Sequence, residues 1–271
     1  MNFFLKRDWF NREGPFSFTL EHFLFIALTI IVGLALSFLL RKKKESTIRI
    51  TLISMWIFVI AIDLVKWIIV WTCVAKGMEN LPFDTTILLP LHSCSMFMYV
   101  FPLAFFCKVP IIKKAANNFL VTINMIMGFI TLFVGFGGKG CSVFSFFGLH
   151  TLLFHTLIFI VPLIMLITGI YKVEKLDFLY GLGLFLILAI LVFIFDHITG
   201  MDYMYIYDGH TFGVFKFIYE NVHHLVWTLI SVSAYLITGV ATHFIVYGIT
   251  KLVKKSWVLQ GLSKNNTLFA Y

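Results

Sequence analysis

Charge is scarce in this chain: Asp, Glu, Lys and Arg make up 13% of its 271 residues, about half the share usual in soluble domains. With 60% hydrophobic residues and a mean hydropathy of +0.96, this scarcity excludes a soluble globular fold. The chain also lacks a Gly-x-Ser-x-Gly elbow, a phosphate-binding loop and a dinucleotide fingerprint, which sets aside the enzyme classes those motifs define. Repeats and linkers are absent, so a single domain over 1–271 is expected. The first apolar run, about 16–40, is too long for a removed signal peptide and has no small-residue cleavage site. Cysteines number 4; two of them, Cys73 and Cys141, fall at one face and could pair in an oxidising compartment.

What the chain has in abundance is apolar length. A bilayer core takes about 20 mostly apolar residues per helix. The hydropathy pattern predicts an all-α, polytopic bundle of seven transmembrane helices, over about 16–40, 50–75, 88–106, 119–136, 146–171, 178–195 and 222–247, after an interfacial lead at 1–15. Charge placement tests that count independently. Fourteen basic residues, among them Arg41 to Lys44, Lys113, Lys114, Lys172, Lys175 and Lys251, gather on one predicted side. Six lie on the other, and Lys66 sits inside the second span. By the positive-inside rule the N-terminus is then outside, the C-terminus inside, and the location a cell membrane.

This topology sorts the histidines by depth. His92, His150, His155, His197, His223 and His224 all enter from the outer face, and a rise of 1.5 Å per residue puts His155 roughly 13 Å and Cys94 roughly 9 Å below their helix starts. Their polar side chains are costly in hydrocarbon, so His92, Ser93, Cys94 and Ser95 should face a protein interior or a wet cavity. His155, flanked by Phe154, Leu157 and Ile158, is a functional candidate on the same ground. His150, His223 and His224 read as interfacial anchors, each within about a turn of a span end. Asp63 and Lys66, at i and i+3, read as a buried ion pair, with substrate binding or a proton relay as the alternatives.

A histidine beside a thiol or hydroxyl suits acyl transfer through a covalent intermediate. Zinc chemistry needs about three N/O ligands and an open position. His150 and His155 are five residues apart and point about 140° from each other on a helix, so no single-helix metal spacing exists. Neither a metal nor another cofactor is expected.

Pro90-Leu91-His92, His155-Thr-Leu-Ile-Phe-Ile-Val161-Pro162, Asp196-His197, Val222-His223-His224 and the Asp63/Lys66 pair together resemble the YwaF-like bacterial integral membrane proteins and the eukaryotic transmembrane protein 164 family. The resemblance covers most of the chain from the second span onward. It implies an acyltransferase that remodels ether phospholipids, in which a cysteine directly precedes the third-span histidine and the fifth-span histidine is its partner. The histidines carry over to His92 and His155. The cysteine does not, because its position holds Leu91; Cys94 lies about one turn deeper on roughly the same face.

The expectation is therefore an enzyme acting on phospholipid acyl groups, acyltransferase or hydrolase, with His155 as base, His92 as partner or oxyanion donor and Cys94 as a nucleophile candidate. Asp63, Lys66, Ser95, His197 and His224 would support or bind. Membrane lipid is the partner and an acyl lipid the substrate; nucleic acid is not. Two alternatives stay open: a substrate-binding or transport component with a partner subunit, and a zinc-dependent membrane hydrolase. A further expectation puts His92 and His155 within one-water reach of each other, with Asp63 and Lys66 as the floor.

Overall fold

The computed structural model describes residues 20–75, 89–134, 146–208 and 213–259, and these contain helices and no strands. In chain order they form α1 (Leu20–Leu40), α2 (Glu45–Ala75), α3 (Phe97–Phe106), α4 (Pro110–Phe119), α5 (Met125–Val134), α6 (Phe146–Thr168), α7 (Asp177–Thr199), α8 (Gly213–Glu220) and α9 (His224–Leu259). A π turn, Leu120–Asn124, joins α4 to α5 without a break. Six stretches are long and apolar enough to cross a membrane: His22–Leu40, Glu45–Cys73, Pro110–Phe133, Gly148–Thr168, Asp177–Thr199 and His224–Leu252. This is a multi-pass, all-helical membrane protein.

Burial sorts these six. The α4–α5 rod is 61% buried and α6 56%, whereas the other four are between 17% and 28% buried. The rod and α6 therefore form the centre, and α1, α2, α7 and α9 turn wide apolar faces outward, including Leu28, Ile57, Ile187 and Ile237. Hydroxyls within the helices are satisfied locally. Ser37, Thr72, Thr122 and Thr168 each donate to the carbonyl four residues back, at 2.6 Å, which removes a donor that hydrocarbon would leave unpaired.

The third predicted span departs most from the sequence reading. Residues 89–96 are turns and bends, and the helix covers only Phe97–Phe106, about 15 Å by helix rise, half a bilayer core. The physical reason lies in α5's root: the Asn124 amide donates to the carbonyls of Ser93 at 3.2 Å and Cys94 at 2.9 Å, holding them in a turn. Other boundaries move as well. The fourth span starts at Pro110 instead of 119, and Lys114 is carried in this helix by Glu174 and Asp177. The sixth runs on to Thr199, so Asp196 and His197 lie in its last turn, before Gly200 closes it in the left-handed region at φ 70°. The connection between α7 and α9 also contains the short helix α8.

Two polar ends result. At one, Lys114 pairs with Glu174 at 2.7 Å and Asp177 at 2.9 Å. There the Tyr171 hydroxyl donates to Asp177 at 2.6 Å, and Asn118 donates to His243 Nδ1 at 3.0 Å. Burial and the Asp177 carboxylate push the Tyr171 hydroxyl well above its usual range, so it stays a donor. Arg49 lies over Phe105 at this basic end, 5.7 Å from the ring centroid. The other end holds the histidines. Leu89 bonds there and Phe105 lies at the basic end, so 89–106 joins the two ends with a turn and a half-length helix.

Candidate functional site

At the histidine end, α6 faces α2. His150 Nε2 donates to Asp63 Oδ1 at 3.2 Å, and the Lys66 ammonium donates to the same oxygen. The i, i+3 pair is thus not a closed unit within α2: a side chain read as an interfacial anchor completes it. No sequence signal joins His150 to Asp63 across 87 positions. The His150 ring stacks on Phe154 at 5.6 Å and 21°, and Phe154 meets His155 edge-on at 5.4 Å. Asp63 stands level with His150 and His155 lies about 7.5 Å further along α6. The Asp63–Lys66 pair is therefore beside or above His155 and does not form a floor beneath it.

His155 is buried. Its Nδ1 donates to the Thr151 carbonyl at 2.7 Å, because a carbonyl can only accept. That places the ring proton on Nδ1 and leaves Nε2 as a lone pair, and Nε2 is buried with no hydrogen-bond partner among the described residues. His92 has the opposite arrangement. The Met204 backbone N–H donates to His92 Nδ1 at 3.3 Å, so in the neutral ring Nε2 carries the proton. The two imidazoles lie within electrostatic range of each other, as do His155 and Lys66. The two imidazoles share no direct hydrogen bond, since His155 Nδ1 is taken by Thr151 and its Nε2 has no partner among the described residues.

His92 owes its orientation to the loop after α7. Tyr203 and Tyr205 flank its ring at 5.3 Å and 5.2 Å. Met204 and Tyr205 have φ of 57° and 55°, a left-handed conformation that costs non-glycine residues about 1–3 kcal/mol each and persists where surroundings enforce it. Those surroundings are visible. The Tyr203 N–H donates to buried Asp196 at 2.9 Å, the Tyr203 hydroxyl accepts from Leu89 N–H at 3.0 Å, and the Tyr235 hydroxyl donates to Met204 O at 3.1 Å. Ser93 Oγ in turn donates to the Tyr235 hydroxyl at 3.3 Å. Loop, turn and α9 are tied into one frame, and the sequence reading singles out none of Asn124, Tyr203 and Tyr235 in it. A lone Asn in an apolar run is the one available signal.

The remaining candidates divide. Cys94 has Ser95 Oγ at 3.9 Å from its sulfur and lies within electrostatic range of Lys66. No hydrogen bond joins it to His155. His197 is exposed and touches Tyr207 at 6.0 Å, away from His155's immediate shell. His224 packs edge-on to Tyr207 at 4.8 Å while His223 points out and its carbonyl starts α9, so His224 is the inward member. Tyr219, raised above the usual tyrosine range by burial and then by Asp208, stays protonated beside His224. Cys73 is a free thiol; Cys141, His210 and the lead 1–15 lie outside the described residues. Among the described residues no three His, Cys, Asp or Glu side chains converge to hold a metal ion.

The fold defines a polytopic helical membrane protein, with His150 and His155 on α6 and His92 in the turn before α3 gathered at one of its polar ends. Neither a curated protein nor a solved structure matches the chain. The TMEM164 family does, over residues 17–247, and the chain belongs to that family.

Proposed function

We propose that the protein is a membrane-embedded enzyme acting on phospholipid acyl groups, an acyltransferase or hydrolase, with His155 as the base and His92 as a hydrogen-bond donor. The observation that carries this reading is the pair of opposite tautomers. His155 offers a buried lone pair at Nε2 and His92 offers an N–H at Nε2, which are the base and the donor an acyl transfer needs. In the step envisaged, His155 Nε2 takes the proton from a thiol or hydroxyl as that oxygen or sulfur bonds to the ester carbonyl carbon. The carbonyl oxygen becomes an oxyanion facing the His92 N–H. The ester C–O bond then breaks and His155 returns the proton to the leaving lysolipid oxygen. Cys94 and Ser95 are the nucleophile candidates on the chain, and water or a lipid hydroxyl replaces them if attack is direct, since Leu91 occupies the family's cysteine position.

For topology we propose seven crossings as one unit in a cell membrane, with 89–106 as the third, an outside N-terminus and an inside C-terminus. The basic end would then face the cytoplasm.

The test uses purified protein in nanodiscs with phospholipid labelled in one acyl chain. Wild type should release labelled fatty acid or transfer it to added lysolipid, and His155→Gln should reduce the rate at least a hundredfold, the scale of a lost general base. A silent wild type across phospholipid classes, or His155→Gln at wild-type rate, ends the enzyme reading. Saturable lipid binding without turnover would favour a binding component instead.

A further inference from the structure

The Asp63, Lys66 and His150 cluster carries more than a helix brace requires. One bond from His150 to Asp63 already ties α6 to α2. Adding an ammonium brings a second charge into hydrocarbon, where apolar isosteres of an ion pair are often as stable. Lys66 has three N–H donors, and among the described residues it donates to Asp63, whose Oδ1 it shares with His150. Its side chain is 15% exposed against 6% for Asp63, so the lysine is the less enclosed member of the pair. It also lies within electrostatic range of both Cys94 and His155.

We propose that Lys66 is the group that takes the oxyanion formed at the lipid ester carbonyl, and that Asp63 and His150 are positioning residues that aim its ammonium into the site. The inference rests on the acyl-transfer reading above. Asp63 holds one Lys66 N–H and fixes the side chain's direction, leaving the others for the oxyanion. His150, by donating to the same carboxylate oxygen, keeps Asp63 from turning out of α2. In the ground state the ester carbonyl carries little charge, so Lys66 acts chiefly on the transition state. Two donors then serve the oxyanion, the Lys66 ammonium and the His92 N–H.

The test replaces the charge and keeps the brace. In Asp63→Asn with Lys66→Met, the introduced amide oxygen can still accept from His150, and no uncompensated charge remains. The double variant should keep its melting temperature in nanodiscs within a few degrees of wild type, lose about a hundredfold in kcat and keep KM. Lys66→Arg, which restores the charge with altered reach, should recover part of the loss. His150→Phe, which leaves the α2 ion pair intact, should lose about tenfold in kcat at constant KM, and it carries the test if the double variant does not fold. A folded double variant or His150→Phe with wild-type kcat overturns the proposal, as does a loss confined to KM. If wild type turns over lipid in a His155-dependent manner while these variants match it, this inference alone fails. If wild type is silent, the acyl-transfer reading fails with it.

Discussion

Replacing Asn124 with Leu tests the frame around the site. The Asn124 Nδ2 supplies two of the tertiary hydrogen bonds that hold the turn before α3, at 3.2 Å to Ser93 O and 2.9 Å to Cys94 O. Leu fills a similar volume, so the cavity cost is small and the loss is polar. The two carbonyls are not equivalent. Cys94 O also accepts from Phe97 N–H at 3.2 Å, so it keeps one partner and loses about 0.6 kcal/mol, the mean for inter-helix bonds in membranes. Ser93 O has no second donor among the described residues, and an unsatisfied buried acceptor costs about 1–3 kcal/mol. Releasing Asn124 Oδ1, which is buried without a partner, returns part of that. The net expectation is about 2 kcal/mol of destabilisation, concentrated in residues 89–96. Thermal unfolding in nanodiscs reads the global part. The alkylation rate of Cys94 by a small permeant maleimide, with the other cysteines removed, reads the local part and should rise several-fold. Asn124→Asp should be worse, because it sets a carboxylate against two carbonyls. An Asn124→Leu protein with wild-type stability and unchanged Cys94 reactivity would refute the account of why the third span is not helical throughout.

Gly181→Ala should destabilise by a few kcal/mol, since an added Cβ would collide with Asn118 Oδ1 and displace the Asn118–His243 hydrogen bond; a melting curve within one degree of wild type would contradict this. Tyr203→Phe removes the hydroxyl that accepts from Leu89 N–H and should loosen the 89–96 turn by about 1 kcal/mol, seen as faster amide hydrogen exchange at 89–92 with little change near α4. For topology, Lys43→Cys should be protected from an impermeant thiol reagent applied outside, and Gly138→Cys should react, both in a cysteine-free background; the reverse pattern would invert the proposed orientation.

The long apolar helices were legible because hydrocarbon thickness imposes a length that hydropathy alone reveals, and α1, α2, α6, α7 and α9 follow it. The third span was not, because its departure from helix depends on Asn124, 30 residues from Cys94, and periodicity within a segment carries no record of a distant amide. The same holds for His150. Its depth near a span end was readable, whereas its partner was fixed only when α6 met α2. His155 was legible as a buried polar group, but its tautomer was not, since that depends on a carbonyl in its own preceding turn and, for His92, on a loop in the left-handed region. The polar cluster of Lys114, Glu174, Asp177, Asn118 and His243 at the basic end escaped for the opposite reason: its lysine reads as surface charge, although Asp177 and His243 are fully enclosed.

The π turn at Leu120–Asn124 sets the rotational phase of the central rod. A π turn accommodates about one residue more than the α turn it replaces, so everything after it is displaced by about 100° relative to a continuous α-helix. Before the turn, Asn118 addresses α9 and the basic end; as its last residue, Asn124 addresses the turn that carries Cys94. In an unbroken α-helix the two amides would stand about 120° apart in one sense, and the extra residue carries Asn124 round to the other side of the rod. The bulge is what allows both amides to meet their separate partners. Deleting a single residue between 120 and 123 should therefore convert the π turn into a regular α turn and leave both amides facing their separate partners, since five residues at about 100° each bring them to the relative angle that six reach through the bulge.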